Sequence, residues 1–404
     1  MKILVVAGWM YPDAEGGSFR VVYESGRRLA ARGHKVHVLT QRTDPRLPES
    51  ETLEGMRVHR YRVWAARGPG FYISSLREVR RMAADLHSRV GFEVVHTHHP
   101  VSAYAAATAR GLRRVPLVAV AHSLYHLEYL DRKGYDPRTG EMRKVGAAGR
   151  LVAAGLKRLD GAVFRRAARV VVLSDFMREL VAEHHAGTPR KVVVAPGGAD
   201  LEEFRPEPGK AEARAALGIP PGRPVFFCCR RLEHRMGLRE LVEAAALLRD
   251  QGREVIVVVA GRGSLEAELR RLVEARGLRD VVRLVGYVAE NDLRLYYRAA
   301  DCVVMPTRAL EGFGLVTAEA FACGRPVVGT PVGATPELLR GFDQRLLTCD
   351  SSPEGLAEGM ARFLDEVRPE PDLETRCRAY AEGRFDWERF VECLERCSRE
   401  VAGD

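Results

Sequence analysis

Short apolar runs rich in valine, isoleucine and leucine alternate with longer stretches of mixed polarity along the whole chain. The apolar runs are bounded by turn-forming residues, which predicts buried strands, and the mixed stretches between them predict amphipathic helices. Strands that alternate with helices pair into parallel sheets through right-handed crossovers, so the pattern predicts a doubly wound α/β fold. The predicted strands are 3–7, 36–40, 58–62, 94–97, 117–121, 170–173, 192–195, 225–229, 255–260, 281–285, 302–305, 327–329 and 346–348.

A break in this pattern divides the chain into two domains. With 404 residues the chain exceeds one ordinary hydrophobic core and suits two domains of about 200 residues each. Turn formers cluster at Pro196-Gly197-Gly198 and again over 206–224, just after a predicted strand. The predicted divisions are an N-terminal domain over 1–195, a C-terminal domain over 196–375 and a helical tail over 376–404. Apolar residues at helical spacing in this tail predict an amphipathic helix: Trp387, Phe390, Val391 and Leu394.

Composition narrows the class of protein. Hydrophobic residues make up 46% and charged residues 29%, as in globular proteins, and no run reaches the ~20 apolar residues that a membrane span needs. The first residues enter a strand pattern directly, without the basic leader and cleavage site of an export signal. The 8 cysteines form no Cys-x-x-Cys pair and lie mostly in apolar stretches, which predicts reduced packing residues. These features predict a soluble cytoplasmic protein.

Charge is divided unevenly along the chain. Residues 1–200 hold 33 Lys and Arg against 19 Asp and Glu, whereas the whole chain holds 63 against 54, so the basic excess lies in the first half. A basic surface can attract anionic lipid headgroups, a phosphorylated acceptor or nucleic acid. The chain has no stacking or recognition motif for nucleic acid, so we predict no nucleic-acid partner. Residues 143–169 interleave basic and apolar side chains, which is typical either of peripheral contact with the inner face of a membrane or of an ordinary packed helix.

The segment with the clearest chemistry follows a predicted strand. Residues 306–315 read Pro-Thr-Arg-Ala-Leu-Glu-Gly-Phe-Gly-Leu, and a helix is predicted to begin at their end. The first turn of a helix has free backbone N–H groups, and glycine lets an anion approach them closely, so Gly312 and Gly314 indicate a phosphate site. Glu311 precedes this helix and Glu319 lies about one turn inside it, and both carboxylates can accept hydrogen bonds from ligand hydroxyls.

Glu311 and Glu319 are separated by seven residues, and with the sequence Glu-Gly-Phe-Gly-Leu they resemble the Glu-x7-Glu signature of the family-4 retaining glycosyltransferases. The resemblance extends over nearly the whole chain, since 13–40 resemble the family's first loop, helix and second strand, and 196–206 resemble its hinge. It implies the GT-B fold, in which two Rossmann-like, doubly wound domains face each other across a cleft. The donor is then bound mainly by the second domain, and the C-terminal helix is expected to cross back to the first domain.

The resemblance also implies roles for particular residues. Glu319 corresponds to a glutamate that binds ribose hydroxyls, and Glu311 to one that contacts the donor sugar. His122, after the predicted strand 117–121, corresponds to a histidine that points at this sugar, although a packed core histidine is the alternative interpretation. The other implied contacts are backbone amides of Phe313, Gly314 and Leu315 at the diphosphate, Gly261 and Gly263 near the nucleotide, and Gly16, Gly17 and 123–140 around the acceptor.

The chain departs from the family at the cations that bind the diphosphate. The family's Gly-Arg-Leu…Lys-Gly stretch here reads Arg-Arg-Leu-Glu-His-Arg-Met-Gly over 230–237. Arg231 therefore matches the family arginine, whereas Met236 replaces the lysine. A diphosphate that leaves without a metal needs cationic compensation. We predict that Arg231 acts in catalysis and that Arg235 substitutes for the missing lysine.

A metal ion and a separate cofactor are not expected. The chain has no two aspartates at i and i+2, so the Asp-x-Asp element that binds a metal-diphosphate in the other large transferase fold is absent from the sequence. His96, His98 and His99 superficially resemble a metal cluster, but successive strand residues point to opposite faces and no nearby carboxylate or cysteine completes a set. The only ligands predicted are the nucleotide-sugar donor and its acceptor.

These inferences predict a retaining, metal-independent glycosyltransferase, with transfer of a hexose favoured. Its acceptor is predicted to be the hydroxyl of a sugar, of a lipid-linked molecule or of a phosphorylated molecule. Two alternatives stay open at this point. One is a nucleotide-sugar-binding protein without transferase activity, and the other is an epimerase or phosphorylase with the same fold.

Overall fold

The computed structural model describes residues 1–64, 68–136, 141–207 and 209–403. The strands are β1 (Lys2–Val6), β2 (Lys35–Gln41), β3 (Ser50–Leu53), β4 (Met56–Tyr61), β5 (Val94–Thr97), β6 (Leu117–Ala121), β7 (Tyr135–Asp136), β8 (Glu141–Met142), β9 (Arg169–Val172), β10 (Val192–Val194), β11 (Val225–Cys229), β12 (Ile256–Ala260), β13 (Val282–Gly286), β14 (Cys302–Met305) and β15 (Val327–Gly329). The helices are α1 (Gly17–Ala31), α2 (Gly68–Val90), α3 (Pro100–Ala107), α4 (Tyr125–Gly134), α5 (Ala147–Arg166), α6 (Asp175–His184), α7 (Lys210–Ala216), α8 (Leu238–Asp250), α9 (Glu266–Ala275), α10 (Glu290–Ala299), α11 (Leu315–Ala322), α12 (Thr335–Arg340), α13 (Pro353–Arg362), α14 (Leu373–Arg384) and α15 (Trp387–Ala402).

The chain forms two compact units. Unit 1 comprises 1–130, 145–197 and 387–404, and unit 2 comprises 131–144 and 198–386. Each unit has its own sheet, with strand order β10-β9-β6-β5-β1-β2-β4-β3 in unit 1 and β13-β12-β11-β14-β15 in unit 2. Both sheets are parallel except at the edge strand β3, which pairs antiparallel with β4. The two parallel sheets with intervening helices are the Rossmann-like, doubly wound architecture predicted from the sequence.

The central strands of both sheets are apolar on both faces because helices cover both sides. In unit 1 every residue of β5 and β6 is buried, and in unit 2 the same holds for β12 and β14. In each sheet the chain builds outward from one central strand and then returns to build on its other side. The resulting switch points lie between β1 and β5 in unit 1 and between β11 and β14 in unit 2. Ligands of doubly wound proteins bind beyond the carboxyl ends of the strands at such points.

The C-terminal helix α15 belongs to unit 1. Its apolar stripe is buried, with Trp387, Phe390 and Leu394 each at most 1% exposed. Arg32, at the end of α1, donates hydrogen bonds to two glutamates of α15. Ser398 of the same helix lies 2.7 Å from Nε2 of the buried His96. The helix therefore completes the core of unit 1 although it comes last in the sequence.

Most predicted strands agree with the structure, and the exceptions have local causes. The segment 346–348 was predicted to be a strand, but a 3-10 turn covers Gln344–Leu346 and only a single bridge joins Leu347 to Gly329. Two leucines followed by a threonine were therefore too weak a signal for a strand. The edge strand β3 was not predicted, because its sequence Ser-Glu-Thr-Leu is polar and only half buried.

The division into units differs from the predicted domains at three places. Contacts place the first boundary after Gly197 instead of after residue 195, and helix α14 stays with unit 2, so that only 387–404 join unit 1. The segment 131–144 belongs to unit 2 although the sequence around it builds unit 1. In this segment Tyr135 stacks on His234 with ring centroids 3.9 Å apart, and its hydroxyl donates to Glu268 at 3.2 Å. A single aromatic contact carries no periodic signal, so the sequence did not predict it.

Other predictions concern surfaces and thiols. Along α5 the apolar side chains Leu156, Val163 and Phe164 are buried in unit 1, whereas Leu151 and Val152 are exposed. The 8 cysteines are free thiols, and most of them are buried. Among the residues that the structure describes, no helix combines the length and apolar character needed to cross a membrane. Membrane contact through the basic first half stays a prediction.

Candidate active site

The switch point of unit 2 brings together the two loops that the sequence singled out. Strands β11 and β14 are hydrogen-bonded neighbours, and their register pairs Phe226 with Cys302. The chain leaves β11 at Cys229 and leaves β14 at Met305, so the loops that begin at Arg230 and Pro306 start side by side. This common edge is where a parallel α/β sheet binds its ligand.

A buried ion pair joins these two loops. Nη2 of Arg230 donates to Oε2 of Glu311 at 2.5 Å, and both side chains are nearly inaccessible to solvent. Thr307 donates a second hydrogen bond to the same carboxylate oxygen at 3.3 Å. Burial lowers the pKa of Arg230, but the charge of Glu311 outweighs it and the pKa is raised overall. The site therefore holds one cation and one carboxylate in fixed positions at the edge of the sheet where a ligand would bind.

The start of helix α11 lies directly after this pair. Gly314 is the N-cap, with a left-handed φ of 95°, and the helix begins at Leu315. Phe313 is buried, and its ring lies 6.0 Å from that of Phe385, which anchors the turn to the core of unit 2. No acidic side chain lies in the first turn of α11. The dipole of α11 therefore favours an anion at this end of the helix. The phosphate site at Gly312 and Gly314 stays a prediction.

Glu319 lies further along the same helix and is held by a tyrosine. The hydroxyl of Tyr297, at the end of α10, donates to Oε2 of Glu319 at 2.6 Å. Tyr297 is fully buried, and burial together with the nearby carboxylate raises its pKa well above the usual value, so it stays a hydrogen-bond donor. Glu319 itself is only half buried. A half-buried carboxylate that is fixed from below can accept hydrogen bonds from hydroxyls of a ligand.

Three glycines let the loops of the site approach one another. A Cβ atom at Gly261 would lie 1.9 Å from the carbonyl oxygen of Arg230, and one at Gly263 would lie 2.4 Å from that of Leu232. A Cβ atom at Gly237 would lie 1.7 Å from the carbonyl oxygen of Pro306. The glycine turn after β12 therefore packs on the loop after β11, and that loop packs on the one after β14. Gly261 and Gly263 thus permit close packing of this turn against Arg230 and Leu232.

The predicted cations lie in different surroundings. Arg231 is exposed at the start of the loop after β11. Nη1 of Arg235 donates to the carbonyl oxygen of Leu310 at 3.0 Å, so its guanidinium braces the backbone just before Glu311. Met236 is buried, and its sulfur lies 2.7 Å from Nη2 of Arg230. The guanidinium that occupies the neighbourhood of residue 236 is thus that of Arg230, to which the sequence analysis gave no role.

Unit 1 carries the remaining predicted residues at its own switch point. Gly16 is the exposed N-cap of α1, and Gly17 is the first residue of this helix. His122 follows β6, and its Nε2 lies 3.1 Å from Nδ1 of His98, which follows β5. Burial lowers the pKa of His122 to about 4 and that of His98 well below its usual value. At neutral pH His122 is therefore uncharged and can act as a hydrogen-bonding group, but not as a cation.

The histidines near the end of β5 do not converge. His96 contacts Ser398, whereas His98 contacts His122. The ring of His99 packs against Trp9 at 5.6 Å and Tyr125 at 5.4 Å. The three side chains therefore have separate partners. Of the predicted acceptor stretch 123–140, residues 137–140 lie outside the described part of the chain.

The switch point of this parallel sheet combines a helix start that favours anions with carboxylates that can accept hydrogen bonds from hydroxyl groups. This combination defines a class of protein that binds a phosphorylated, hydroxyl-rich ligand such as a nucleotide sugar. Comparison with known proteins makes this class specific. Residues 15–203 match the family described as Glycosyltransferase Family 4, and residues 209–384 match the family described as Glycosyl transferases group 1.

Similar proteins match nearly the whole chain. A D-inositol 3-phosphate glycosyltransferase of Kineococcus radiotolerans is 31% identical to this chain, and the match covers 96% of this chain and 91% of the relative. The D-inositol 3-phosphate glycosyltransferase of Actinosynnema mirum is also 31% identical, and the match covers 94% of this chain and 91% of the relative. Sucrose-phosphate synthase from Thermosynechococcus elongatus has a similar structure, with a TM-score of 0.79, 24% identity and 100% of both chains covered. The structure of Anabaena HepE in complex with UDP and glucose is also similar, with a TM-score of 0.75, 20% identity and 98% of both chains covered. The chain belongs to the family-4 glycosyltransferases with the GT-B fold, and it is a nucleotide-sugar glycosyltransferase.

Sequence reasoning missed two residues of the site. Arg230 was seen only as a departure from the family pattern, although the paired departures at 230 and 236 could have indicated a relocated cation. Tyr297 gave no signal beyond its place at the end of a helix. Both are recognisable only from contacts between segments that are distant in sequence.

Proposed function

We propose that the protein transfers a hexosyl group from a nucleoside diphosphate sugar to a hydroxyl group of a phosphorylated polyol, with retention of anomeric configuration and without a metal ion at the transfer site. The ion pair of Arg230 and Glu311 beside the glycine-capped start of α11 is the observation that carries this proposal. It provides positive charge and free amides for a diphosphate, next to a carboxylate for the sugar.

Each part of the donor has a matching group in unit 2. The diphosphate lies against the amides of Phe313, Gly314 and Leu315, where the dipole of α11 favours negative charge. Glu319, oriented by Tyr297, accepts hydrogen bonds from the ribose hydroxyls. Glu311 accepts from a hydroxyl of the sugar while Arg230 holds this carboxylate in place. The cationic groups reduce the need for a metal ion as the diphosphate leaves.

The chemical step uses the donor's own phosphate as the base. The bond between the anomeric carbon and the diphosphate oxygen breaks, and the acceptor oxygen bonds to that carbon from the same face. The acceptor's proton passes to the departing phosphate oxygen, so atoms and charges balance. His122 is uncharged at neutral pH, since burial lowers its pKa to about 4, and it can hydrogen-bond to the sugar.

A phosphorylated acceptor is favoured by two observations. The curated relatives at 30–32% identity are D-inositol 3-phosphate glycosyltransferases. The basic excess of the chain lies in residues 1–200, which supply most of unit 1. In that unit α1 begins at the exposed Gly16 and Gly17 and has no acidic residue in its first turn, so its N-terminus can accept a phosphate group.

A two-way substrate panel tests the proposal. UDP-, GDP- and ADP-linked hexoses are each combined with D-inositol 3-phosphate, with unphosphorylated inositol and with water alone. We expect a new glycoside with one nucleotide and the phosphorylated acceptor, and NMR coupling constants that show the anomeric configuration of the donor. Added Mg²⁺ or Mn²⁺ should not raise kcat.

The other outcomes are also decisive. Equal rates with phosphorylated and unphosphorylated inositol would contradict the proposed acceptor class, and an inverted product would contradict retention. Nucleotide binding without turnover across the whole panel would favour a binding protein instead of an active transferase. Phosphate-dependent cleavage of a glycoside would favour a phosphorylase.

A further inference from the structure

Unit 1 contains a cluster of metal-binding side chains, one of which lies in the stretch 123–140 that was predicted around the acceptor. His126 of α4, Asp160 of α5 and His185, which caps the end of α6, each offer one ligand atom within 4.8 Å of the others. His126 and Asp160 are each 3% exposed, and His185 is partly buried. Two imidazoles and a carboxylate are donor groups that divalent transition metals prefer.

The spacing within the cluster suits shared coordination better than direct hydrogen bonding. Nδ1 of His126 lies 3.4 Å from Oδ2 of Asp160, which is long for a hydrogen bond between nitrogen and oxygen. Two ligands placed 2.0–2.2 Å from a tetrahedral zinc ion are about 3.4 Å apart. The observed separation therefore equals that of two ligands on one ion.

An unpartnered nitrogen points to the same conclusion. Nε2 of His185 is buried and has no hydrogen-bond partner in the described part of the chain. A buried polar atom without a partner is unfavourable by about 1–3 kcal/mol, so it requires an explanation. The other nitrogen of this ring lies on the side of Gly161, where a Cβ atom would be 3.2 Å away. Coordination of a metal ion through Nε2 would satisfy the buried atom.

The groups around the cluster already orient its ligands. The carboxylate of Asp160 accepts hydrogen bonds from the backbone N–H groups of Tyr125 and His126 at the start of α4. Nε2 of His126 lies 3.2 Å from Nδ1 of His184, so the ring of His126 can donate there while its Nδ1 faces the metal. Metal-binding histidines and carboxylates characteristically have such outer partners. Part of the side chain of His184 is exposed, which provides a route from solvent.

We propose that His126, Asp160 and His185 bind a divalent transition-metal ion of the zinc class, with water in the fourth coordination position. The ion would link α4, α5 and the end of α6. Helix α4 begins three residues after His122, so the ion would also fix the segment that follows this histidine. The proposed role is structural, and it does not depend on the transfer reaction.

Metal titration of the full-length protein without a polyhistidine tag tests the proposal. After dialysis against a chelator, Zn²⁺ is added and the bound metal is measured by mass spectrometry, with Co²⁺ as a spectroscopic probe. We expect one ion per chain, visible absorption typical of tetrahedral Co²⁺ and a higher Tm with Zn²⁺ but not with Mg²⁺. His185→Ala should abolish stoichiometric binding, and His184→Ala should weaken it about 10- to 100-fold.

His59→Ala provides the matched control. His59 also pairs with a second histidine in unit 1, since its Nε2 lies 3.0 Å from Nδ1 of His37, but this pair does not belong to the cluster. The variant should bind one Zn²⁺ as the wild type does. Folded wild-type protein that takes up no Zn²⁺, or folded His185→Ala that binds it unchanged, would overturn the proposal. Asp160→Asn keeps an oxygen for the backbone N–H groups and provides a second folded variant with weakened binding.

Discussion

At the scale of single residues, two departures from the family pattern are explained by one contact. Arginine stands at 230 where the family has glycine, and methionine stands at 236 where the family has lysine. The guanidinium of Arg230 lies against the sulfur of Met236 and pairs with Glu311. Arg230 therefore places a positive charge beside the position that the family fills with lysine. Arg235, which was predicted to compensate for the missing lysine, donates to the carbonyl oxygen of Leu310.

We expect Arg230→Gly to lower kcat about 10²- to 10³-fold, as the loss of one group that stabilises developing charge typically does. In that background Met236→Lys should restore much of the lost activity, because it returns the cation to the family's position. Steady-state kinetics and thermal unfolding of the single and double variants provide the measurement, with Arg249→Ala on the surface as control. A double variant no faster than Arg230→Gly would contradict the idea that Arg230 replaces the family's lysine.

The predicted roles of Arg231 and Arg235 are tested in the same assay. Wild-type rates for Arg231→Ala and Arg235→Ala would remove those side chains from the mechanism.

A second prediction at this scale concerns the carboxylate held by Tyr297. Glu319→Gln keeps an oxygen for the tyrosine hydroxyl but removes the charge that strengthens hydrogen bonds to ribose hydroxyls, which are worth about 1.5–3 kcal/mol each. We expect the Kd for the nucleoside diphosphate to rise roughly 10- to 100-fold, while Tm changes little. Isothermal titration calorimetry measures the effect. An unchanged Kd would remove Glu319 from the nucleotide site.

At the scale of elements, backbone contacts between loops decide where the site's side chains lie. The turn that begins at Gly261 contacts the carbonyl of Arg230 so closely that no side chain fits between them, and Gly261 also has a left-handed φ of 137°. Three loops are thus stacked through their backbones at one edge of the sheet. Their order along this edge is fixed by the strand order of unit 2.

Gly261→Ala should therefore destabilise unit 2 by about 1–3 kcal/mol, because the added methyl group must displace backbone. It should also lower kcat by moving Arg230 relative to Glu311. Gly383→Ala is the matched control, since Gly383 lies in α14 with open space around it, and alanine there should stabilise by about 0.5–1 kcal/mol. Urea unfolding of both variants measures the difference. A Gly261→Ala protein as stable and active as the wild type would contradict the close contact.

The sequence predicted elements better than it predicted contacts. Strands such as β6 and β14 have the predicted bounds because their apolar runs are uninterrupted. The start of α11 could also be predicted, since glycines and a helix start are local signals. The partner of Glu311 could not be predicted, because Arg230 lies 81 positions away in the sequence and only the strand order makes their two loops neighbours. The contacts of 131–144 with the rest of unit 2 could not be predicted for the same reason.

At the scale of the whole molecule, buried histidines determine the response to acid. Burial lowers the pKa of His96 to about 3 and those of His99 and His122 to about 4. In the unfolded chain a histidine has a pKa of about 6.5, so between pH 6.5 and 4 the unfolded state binds more protons than the folded state. The free energy of unfolding contributed by these groups is fully present above pH 6.5 and is lost as the pH falls toward 4.

We expect each such histidine to reduce the free energy of unfolding by about 2 kcal/mol between pH 7 and pH 5. Urea unfolding at the two pH values measures the change. His99→Gln, which cannot titrate, should show a correspondingly smaller loss. Equal stability of the wild type at pH 5 and pH 7 would contradict the burial of neutral histidines in unit 1.

The chain passes from one unit to the other at four points, after Leu130, Lys144, Gly197 and Asp386. Domains of a multidomain protein usually fold from the N-terminus onward as the ribosome makes them. Here unit 1 lacks the helix that covers His96 until α15 has left the ribosome, by which time every residue of unit 2 has been made. The unit that is begun first is therefore the unit that is completed last, and a chain cut short before α15 would leave the core of unit 1 open.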